Sequence, residues 1–307
     1  MTTFGDQVYQ YGGAPVEGGR FSSPWSKHYF VDGDDGTTNG SGTTPDKALS
    51  TIQAAVTLAS RGDVIYVRPR TYSSDGSDVN KYTEAVTIPY ATADLSLIGV
   101  ANTHIGNPNY GVKLQYTTAL STCLTVNAPA FHIENMCVRA EGAGKAIHFN
   151  AGANYTAVAG SCGSTMYNVV IRGSLNGVYV TDGYATNIVG CRFEGGSATD
   201  NAIVLNGIAQ PARRHRIQDC HFDSYNGAAN DNAYIRILGV QTDLLIYRCT
   251  FDIKPTDTYY IQATGTNLGL IANCFFAEAD LDTDAEIVQG GLTVVGCWDV
   301  AGIAAAT

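Results

Sequence analysis

The chain has 307 residues, 18 Lys and Arg against 28 Asp and Glu, and a net charge of −10. An acidic surface of this kind speaks against non-specific binding to nucleic acid or to an anionic membrane. No window approaches 18 consecutive apolar residues, and Met1 to Asp6 carries neither a basic start nor an apolar core, so neither a transmembrane segment nor a signal peptide is expected.

Residues 1–28 are glycine-rich and lack periodicity. Phe4, Tyr9, Tyr11, Phe21 and Trp25 are costly to leave in water, so two readings stand: a loose tail, or an attachment arm whose aromatic rings dock on a neighbour. His28 to Val31 reads as a strand. The acidic run after it, Asp32, Asp34 and Asp35, offers oxygen ligands for calcium but lacks the spacing and closing Glu of a helix-loop-helix site. A solvated turn is the other reading.

Pro45 to Ser60 predicts one amphipathic helix. Leu49, Ile52, Ala55, Val56 and Ala59 recur at steps of three and four, with Thr44 or Ser50 to cap it and Gly62 to end it. Strands are expected at Asp63 to Val67, Glu84 to Ile88 and Leu95 to Gly99.

From Gly99 onward one phrase returns: an aliphatic residue, any residue, a turn residue, Cys or another apolar residue, any residue, Phe or another apolar residue. It is clearest as Ile188-Val189-Gly190-Cys191-Arg192-Phe193, Ile217-Gln218-Asp219-Cys220-His221-Phe222 and Ile246-Tyr247-Arg248-Cys249-Thr250-Phe251. The turn position is occupied by Gly99, Asn135, Asn168, Gly190, Asp219, Arg248, Asn273 and Gly296, at steps of 36, 33, 22, 29, 29, 25 and 23 residues. Seven of these eight are Gly, Asn or Asp, the types that tolerate a positive φ, so a left-handed bend is expected there.

Apolar residues on both sides alternate with variable ones, which is the period of a strand with one buried face. A further strand precedes each bend, at Leu124 to Val126, Ile147 to Phe149, Val178 to Val180, Ile203 to Leu205, Tyr234 to Ile237, Tyr260 to Ala263 and Glu286 to Val288. Short strands, a left-handed bend and a repeat of at least 22 residues predict an all-β, single-stranded right-handed parallel β-helix over residues 29–300. Like residues would stack into an Ile, a Cys and a Phe column. The N-terminal helix would cover the first coil, because open strand edges invite aggregation. The tail at 301–307 is short for covering the last one, so another subunit or protein is expected to do so.

Five of the eight cysteines (Cys191, Cys220, Cys249, Cys274 and Cys297) fall in that single inward column. They are read as small apolar filler rather than a disulfide framework or a zinc site, since no two stand in CxxC relation. No cofactor is expected.

Thr51-Ile52-Gln53-Ala54-Ala55, Gly62-Asp63-Val64-Ile65-Tyr66-Val67-Arg68-Pro69, Thr71-Tyr72 and Leu97-Ile98-Gly99 resemble the opening of pectate-lyase-like β-helix proteins. Tyr29-Phe30-Val31-Asp32-Gly33, behind an arm without a leader, is similar to bacteriophage virion proteins, including tailspikes. The resemblance covers roughly residues 28–300. It implies a fold that hosts lyases, hydrolases, adhesins and inert structural proteins alike. The galacturonase-type signatures (Asn-Thr-Asp, Asp-Asp on a coil, His-Gly and Arg-Ile-Lys) and the strand Asp cluster with a paired Arg of a pectate lyase are missing, so no catalytic residue is carried over.

From the residues alone, the best catalytic constellation is the column one position past the Phe: Glu194, Asp223 and Asp252, with Glu278 one step out of frame. Neighbouring coils would bring adjacent carboxylates to about 5 Å and alternate ones to about 10 Å, near the separations used by glycosidases. Crowded acids would raise one pKa, as a general acid needs. The other reading is a set of solvent-facing strand ends. Arg213-Arg214-His215-Arg216 is the densest basic run, and His132 and His148 adjoin apolar strand residues. Tyr234, Tyr247, Tyr259 and Tyr260 could stack on sugar rings or fill the core.

The reading from sequence is a non-enzymatic bacteriophage virion component, decorating the capsid or sitting at the tail. It is expected to be a homotrimer that attaches to other virion proteins through its arm and possibly meets a host surface glycan. A tailspike-like polysaccharide depolymerase and a non-cleaving glycan adhesin stand as alternatives.

Overall fold

The computed structural model describes residues 26–71, 80–101, 111–118, 121–140, 144–150, 161–172, 176–195, 201–223, 233–252, 259–277 and 290–299, with 10–11, 14–15, 287–288 and 302–303. For 10–11, 14–15, 208–212, 288 and 302–303 it describes the backbone alone.

From Val64 the chain repeats a cycle of three strands, each belonging to a different sheet. The first sheet is ten strands deep, from His28–Val31 through Asn187–Val189 and Arg216–Gln218 to Thr293–Val295. The second runs from Tyr82–Thr83 through Arg192–Glu194 and His221–Asp223 to Trp298–Asp299, and the third from Val86–Ile88 to Ile287–Val288. Every strand of a cycle pairs in parallel with its counterpart one cycle before and after, as Ile188↔Ile217, Phe193↔Phe222 and Ile203↔Ile235 show. This is a parallel β-helix, as the repeat predicts.

The alternation in sequence becomes an inside and an outside. Ile188, Ile217, Ile246, Ile271 and Val294 follow one another in register and are buried. Phe193, Phe222, Phe251 and Phe276 form an offset stack with centroids 4.8, 4.6 and 4.8 Å apart and planes within 6° of parallel. Burying each ring contributes about 1.5–3 kcal/mol, and each stacked pair adds roughly 0.5–1.5 kcal/mol. All eight cysteines are free and buried. In the predicted column each thiol lies against carbonyls of its own and the preceding coil, as Cys220 Sγ does with Gln218 O at 3.2 Å and Ile188 O at 3.6 Å.

The bend between the first and second sheets is left-handed at Asn135, Asn168, Gly190, Asp219, Arg248, Asn273 and Gly296, with φ between 49° and 60°. Arg248 adopts it despite its type, and its guanidinium meets Asp219, the bend residue one coil earlier, at 2.8 Å. Each bend residue before Gly296 sends its N–H to the next coil, as Asp219 does to Tyr247 O at 3.0 Å, so the ladder continues through the corner.

Gly99 departs from the expectation. It ends a strand, paired with Val67, and a longer connection carries the chain on to Val112. A Cβ at Gly99 would meet Asn135 O at 2.0 Å, so glycine is required there by close approach rather than by φ. A second left-handed corner leads into the first sheet at Gly62, Asp94, Ala130, Gly163, Ala185, Arg214, Asp243 and Gly291. Its residue types vary too widely for the sequence to announce it.

The single helix expected from Pro45 to Ser60 is corrected. Pro45–Lys47 is one 3-10 turn, Leu49 bridges in parallel to Val31 and Thr37, and the α-helix is Ile52–Leu58. Pairing of Leu49 with the edge of the first sheet pulls the backbone out of helical geometry before Thr51. Thr51 caps the helix, accepting from Ala54 N at 3.2 Å, and Glu84 accepts the Ile52 and Gln53 N–H groups at 2.8 and 2.9 Å. Ile52, Ala55 and Val56 are buried, and the helix packs on His28–Val31, Val64–Val67 and Val86–Ile88. At the other end Gly302–Ile303 turns back antiparallel along Trp298–Asp299, at the edge of the second sheet.

Candidate functional site

In the second sheet Phe193, Phe222 and Phe251 point inward, so the residues on either side of each point outward together. Arg192 and Glu194 therefore share the outer face with His221 and Asp223 of the next coil, and with Thr250 and Asp252 of the coil after. The predicted carboxylate column exists, and the structure adds to it Arg192 and His221, which stand at the variable position of the repeat. Period two is the signal that could have found them.

Arg192 joins the coils. Its guanidinium lies 3.3 Å from Glu194 Oε1, and its Nε donates to Asp223 Oδ2 at 2.6 Å. Glu194 also meets Arg172 Nε at 3.1 Å. Asp223 Oδ1 is 2.6 Å from His221 Nε2, which is itself 3.8 Å from Asp252 Oδ2. Behind the sheet the buried Tyr234 hydroxyl donates to Asp252 O at 3.2 Å, fixing the backbone that carries the last carboxyl.

Asp223 and Asp252 are driven apart in acidity. Burial pushes Asp223 up, but hydrogen bonds from Arg192 and Asp252 and the charges of His221 and Arg192 outweigh it, leaving the carboxyl below its ordinary value. Burial, followed by the hydrogen bond to Asp223 and its negative charge, pushes Asp252 above its ordinary value in spite of His221. The opposite directions are those of two neighbouring carboxyls that lose their protons in turn, Asp223 before Asp252. Such a pair can donate a proton from one member while the other stays ionised.

His221, Asp223 and Asp252 each bring a donor atom within 4.8 Å of the others, the one such group among the described residues. Arg192 on Asp223 Oδ2 places a fixed positive charge beside it. Residues 196–200, 224–232 and 253–258, which follow the three carboxylates in the chain, lie outside the described residues, as does Glu278.

Asp32, Asp34 and Asp35 are fastened by donors. Arg68 Nη1 reaches Asp32 Oδ2 at 2.5 Å, and the N–H groups of Asp34 and Asp35 reach Oδ1 at 3.0 and 3.2 Å. Asp34 takes Arg70 Nε at 3.0 Å and the Thr71 N–H and hydroxyl at 2.6 and 2.8 Å. Burial pushes both Asp32 and Asp34 up, yet these contacts hold them below the usual range.

Two expected sugar platforms are corrected: Tyr234 and Tyr260 are 2% and 0% exposed and stack on each other in the core beside Phe251, where no glycan reaches. Tyr247 and Tyr259 remain partly exposed. The basic run is split, with Arg214 at a left-handed corner and His215 buried. His132 is buried beside Glu134, and His148 Nε2 lies 2.9 Å from Thr181 Oγ1. Phe4, Tyr9, Phe21, Trp25 and the Tyr11 side chain lie outside the described residues.

Carrot pectin methylesterase superposes with a TM-score of 0.57 at 14% identity, over 91% of this chain and 83% of that one. A rhamnogalacturonan lyase gives 0.62 at 13% identity, over 89% and 74% of the two chains. A GH136 lacto-N-biosidase from Eubacterium ramulus gives 0.55 at 10%, over 89% and 55%. The fold is theirs. No family model matches the sequence, and no curated protein does. This β-helix therefore shares an architecture with carbohydrate-acting enzymes, while identities this low leave its chemistry to be read from its own residues. Among the described residues no helix is long and apolar enough to cross a membrane.

Proposed function

We propose that this protein hydrolyses glycosidic bonds in a polysaccharide, with Asp252 as the proton donor and Asp223 as its ionised partner. The observation that carries the reading is the opposite displacement of these two acidities on neighbouring coils. A spacing of about 5 Å between adjacent coils suits a retaining double displacement. Asp252 gives its proton to the leaving oxygen as the carbon–oxygen bond breaks, and Asp223 forms the bond to the anomeric carbon. Water then displaces Asp223 and returns a proton to Asp252. Arg192 and His221 hold Asp223 in one orientation throughout.

The test is incubation with a broad panel of capsular, lipopolysaccharide and plant polysaccharides, measuring reducing ends. Wild type should release them from at least one member, and Asp252→Asn should lower the rate by about 10²–10⁴-fold. No release from any member would sink the reading.

A non-enzymatic place in an assembly is favoured by one observation. Thr293–Val295 and Ile287–Val288 end their sheets with no further strand beyond them among the described residues. A homotrimer in a virion would cover such edges, and a light-scattering mass equal to one chain would reject it.

A further inference from the structure

Inside the coil, Cys191, Cys220, Cys249, Cys274 and Cys297 form a row through five successive coils, each one residue past the left-handed bend. Packing does not demand cysteine at that place. On the two preceding coils it holds Met136 and Val169, both fully buried. Each Sγ is seated alike on its coil. It lies 3.2–3.8 Å from the carbonyl two residues back in the chain. A carbonyl of the preceding coil is 3.6–3.9 Å away. Equal seats on stacked coils put successive sulfurs one coil rise apart, about 4.8 Å. Each thiol interacts with the next along the row. Burial pushes Cys220 and Cys249 well up, so both hold their protons at neutral pH.

We propose that this row is a binding site for soft monovalent cations of the copper(I) and silver(I) class, each held linearly between the sulfurs of two successive coils. Thiolate sulfur selects such ions. A metal–sulfur bond of about 2.3 Å sets two sulfurs roughly 4.6 Å apart across one ion, against a coil rise of about 4.8 Å. An ion at the midpoint therefore needs almost no movement of either side chain. A structural zinc ion needs four converging ligands, and a straight row offers two. Each ion displaces one proton: one sulfur of the pair becomes a thiolate, the other keeps its hydrogen, and the buried pair stays neutral. Ions above and below the same sulfur would face each other across it, an angle that sulfur bonding disfavours, so each thiol serves one ion. Five thiols then make two pairs with one left over. The last coil has no strand beyond Thr293–Val295 among the described residues, and its local opening admits the ion at Cys297.

The experiment titrates the full, reduced chain with silver(I) in chloride-free buffer, silver being chosen because it keeps its oxidation state. A wash with excess free methionine strips ions held by a single sulfur, and native mass spectrometry counts those that remain. X-ray absorption should find two sulfur ligands per silver. Each bound ion should release one proton, so affinity strengthens about tenfold per pH unit. The count should follow the parity of the row. Cys220→Ala and Cys274→Ala each isolate a terminal thiol and should lose one ion. Cys191→Ala, Cys249→Ala and Cys297→Ala leave two complete pairs and should lose none. Cys137→Ala, outside the row and in register with Val170 and Lys113, should lose none either.

No retained silver, the same loss at every row position, or no loss at any of them overturns the proposal. So does uptake that appears only in urea, which would give the ions to the thiols of the unfolded chain. Matching unfolding midpoints separate a lost ion from a lost fold. Should Cys220→Ala fail to fold, Cys274→Ala carries the same expectation at the other end of the row. The thiols face inward and the carboxyls of Asp223 and Asp252 outward, so the fate of this site leaves the proposed catalytic reading untouched.

Discussion

Arg192 reaches Glu194 and Asp223 on successive coils, and its hydrogen bond is the strongest influence opposing burial at Asp223. Replacing it by Met keeps the stem and removes the charge, so the Asp223 pKa must rise. A reaction that needs Asp223 ionised then loses its low-pH range, and the acid limb of the kcat/KM profile should move to higher pH. Histidine at 221 adds a second positive influence when protonated, so His221→Gln should move the limb the same way by a smaller amount. A limb unmoved in Arg192→Met would mean that Asp223 is not the ionised group. The carboxylates were legible because they recur at one place in the repeat. Arg192 and His221 were not, because a position occupied by Arg, His, Thr and Phe looks variable until the coils are laid over one another.

The tight corner between the first and second sheets is a backbone device. Gly190 has φ of 60°, and a Cβ there would meet nothing nearer than Tyr167 Cε2 at 3.9 Å. Gly190→Ala therefore isolates strain from collision and should cost about 1–2 kcal/mol. Gly190→Asn should cost clearly less, since Asn enters this region more readily. Urea midpoints of the two variants decide it, and equal losses would show that φ is not what the position demands. The repeat of Gly, Asn and Asp exposed this corner in the sequence. The other left-handed corner, at residues such as Ala130, Ala185 and Arg214, stayed hidden because the hydrogen-bond ladder imposes it on side chains with no preference for it. The Pro45–Ser60 segment illustrates the same competition: its helical period is real, but Leu49 is taken by the sheet edge.

At the scale of the whole molecule, the interior is not uniformly apolar. Ser161, Thr186, His215, Gln241 and Asn267 are buried along the corner leading into the first sheet. His215 Nδ1 accepts the Thr186 N–H at 3.3 Å, while Nε2 has no protein partner. Burial is the dominant influence on the imidazole and pushes it down to about 4. The unfolded chain, with an ordinary value near 6.5, binds this proton first. Stability is therefore fully present above about pH 6.5 and is lost as pH falls towards 4, by up to about 3 kcal/mol from this group. His148, also pushed down to about 4 by burial and by Lys145 but less deeply buried, adds a smaller contribution of the same sign. His215→Gln should flatten the slope of unfolding free energy between pH 6.5 and 4, and an unchanged slope would remove His215 as its source.

The sequence by itself determined the coil. Alternation fixed which side chains face inward, and recurrence of Ile, Cys and Phe at one place in each unit fixed the stacking, because both are properties of single strands and their period. The tertiary structure alone decided which outward residues meet. Arg192, Asp223, His221 and Asp252 lie up to 60 positions apart in the chain, yet occupy neighbouring rungs, and only the lengths of the intervening turns set that register. It also decided that Tyr234 and Tyr260 belong to the core and Phe275 and Trp298 to the surface. An aromatic residue in a strand carries no mark of the face it takes until the opposite face is filled.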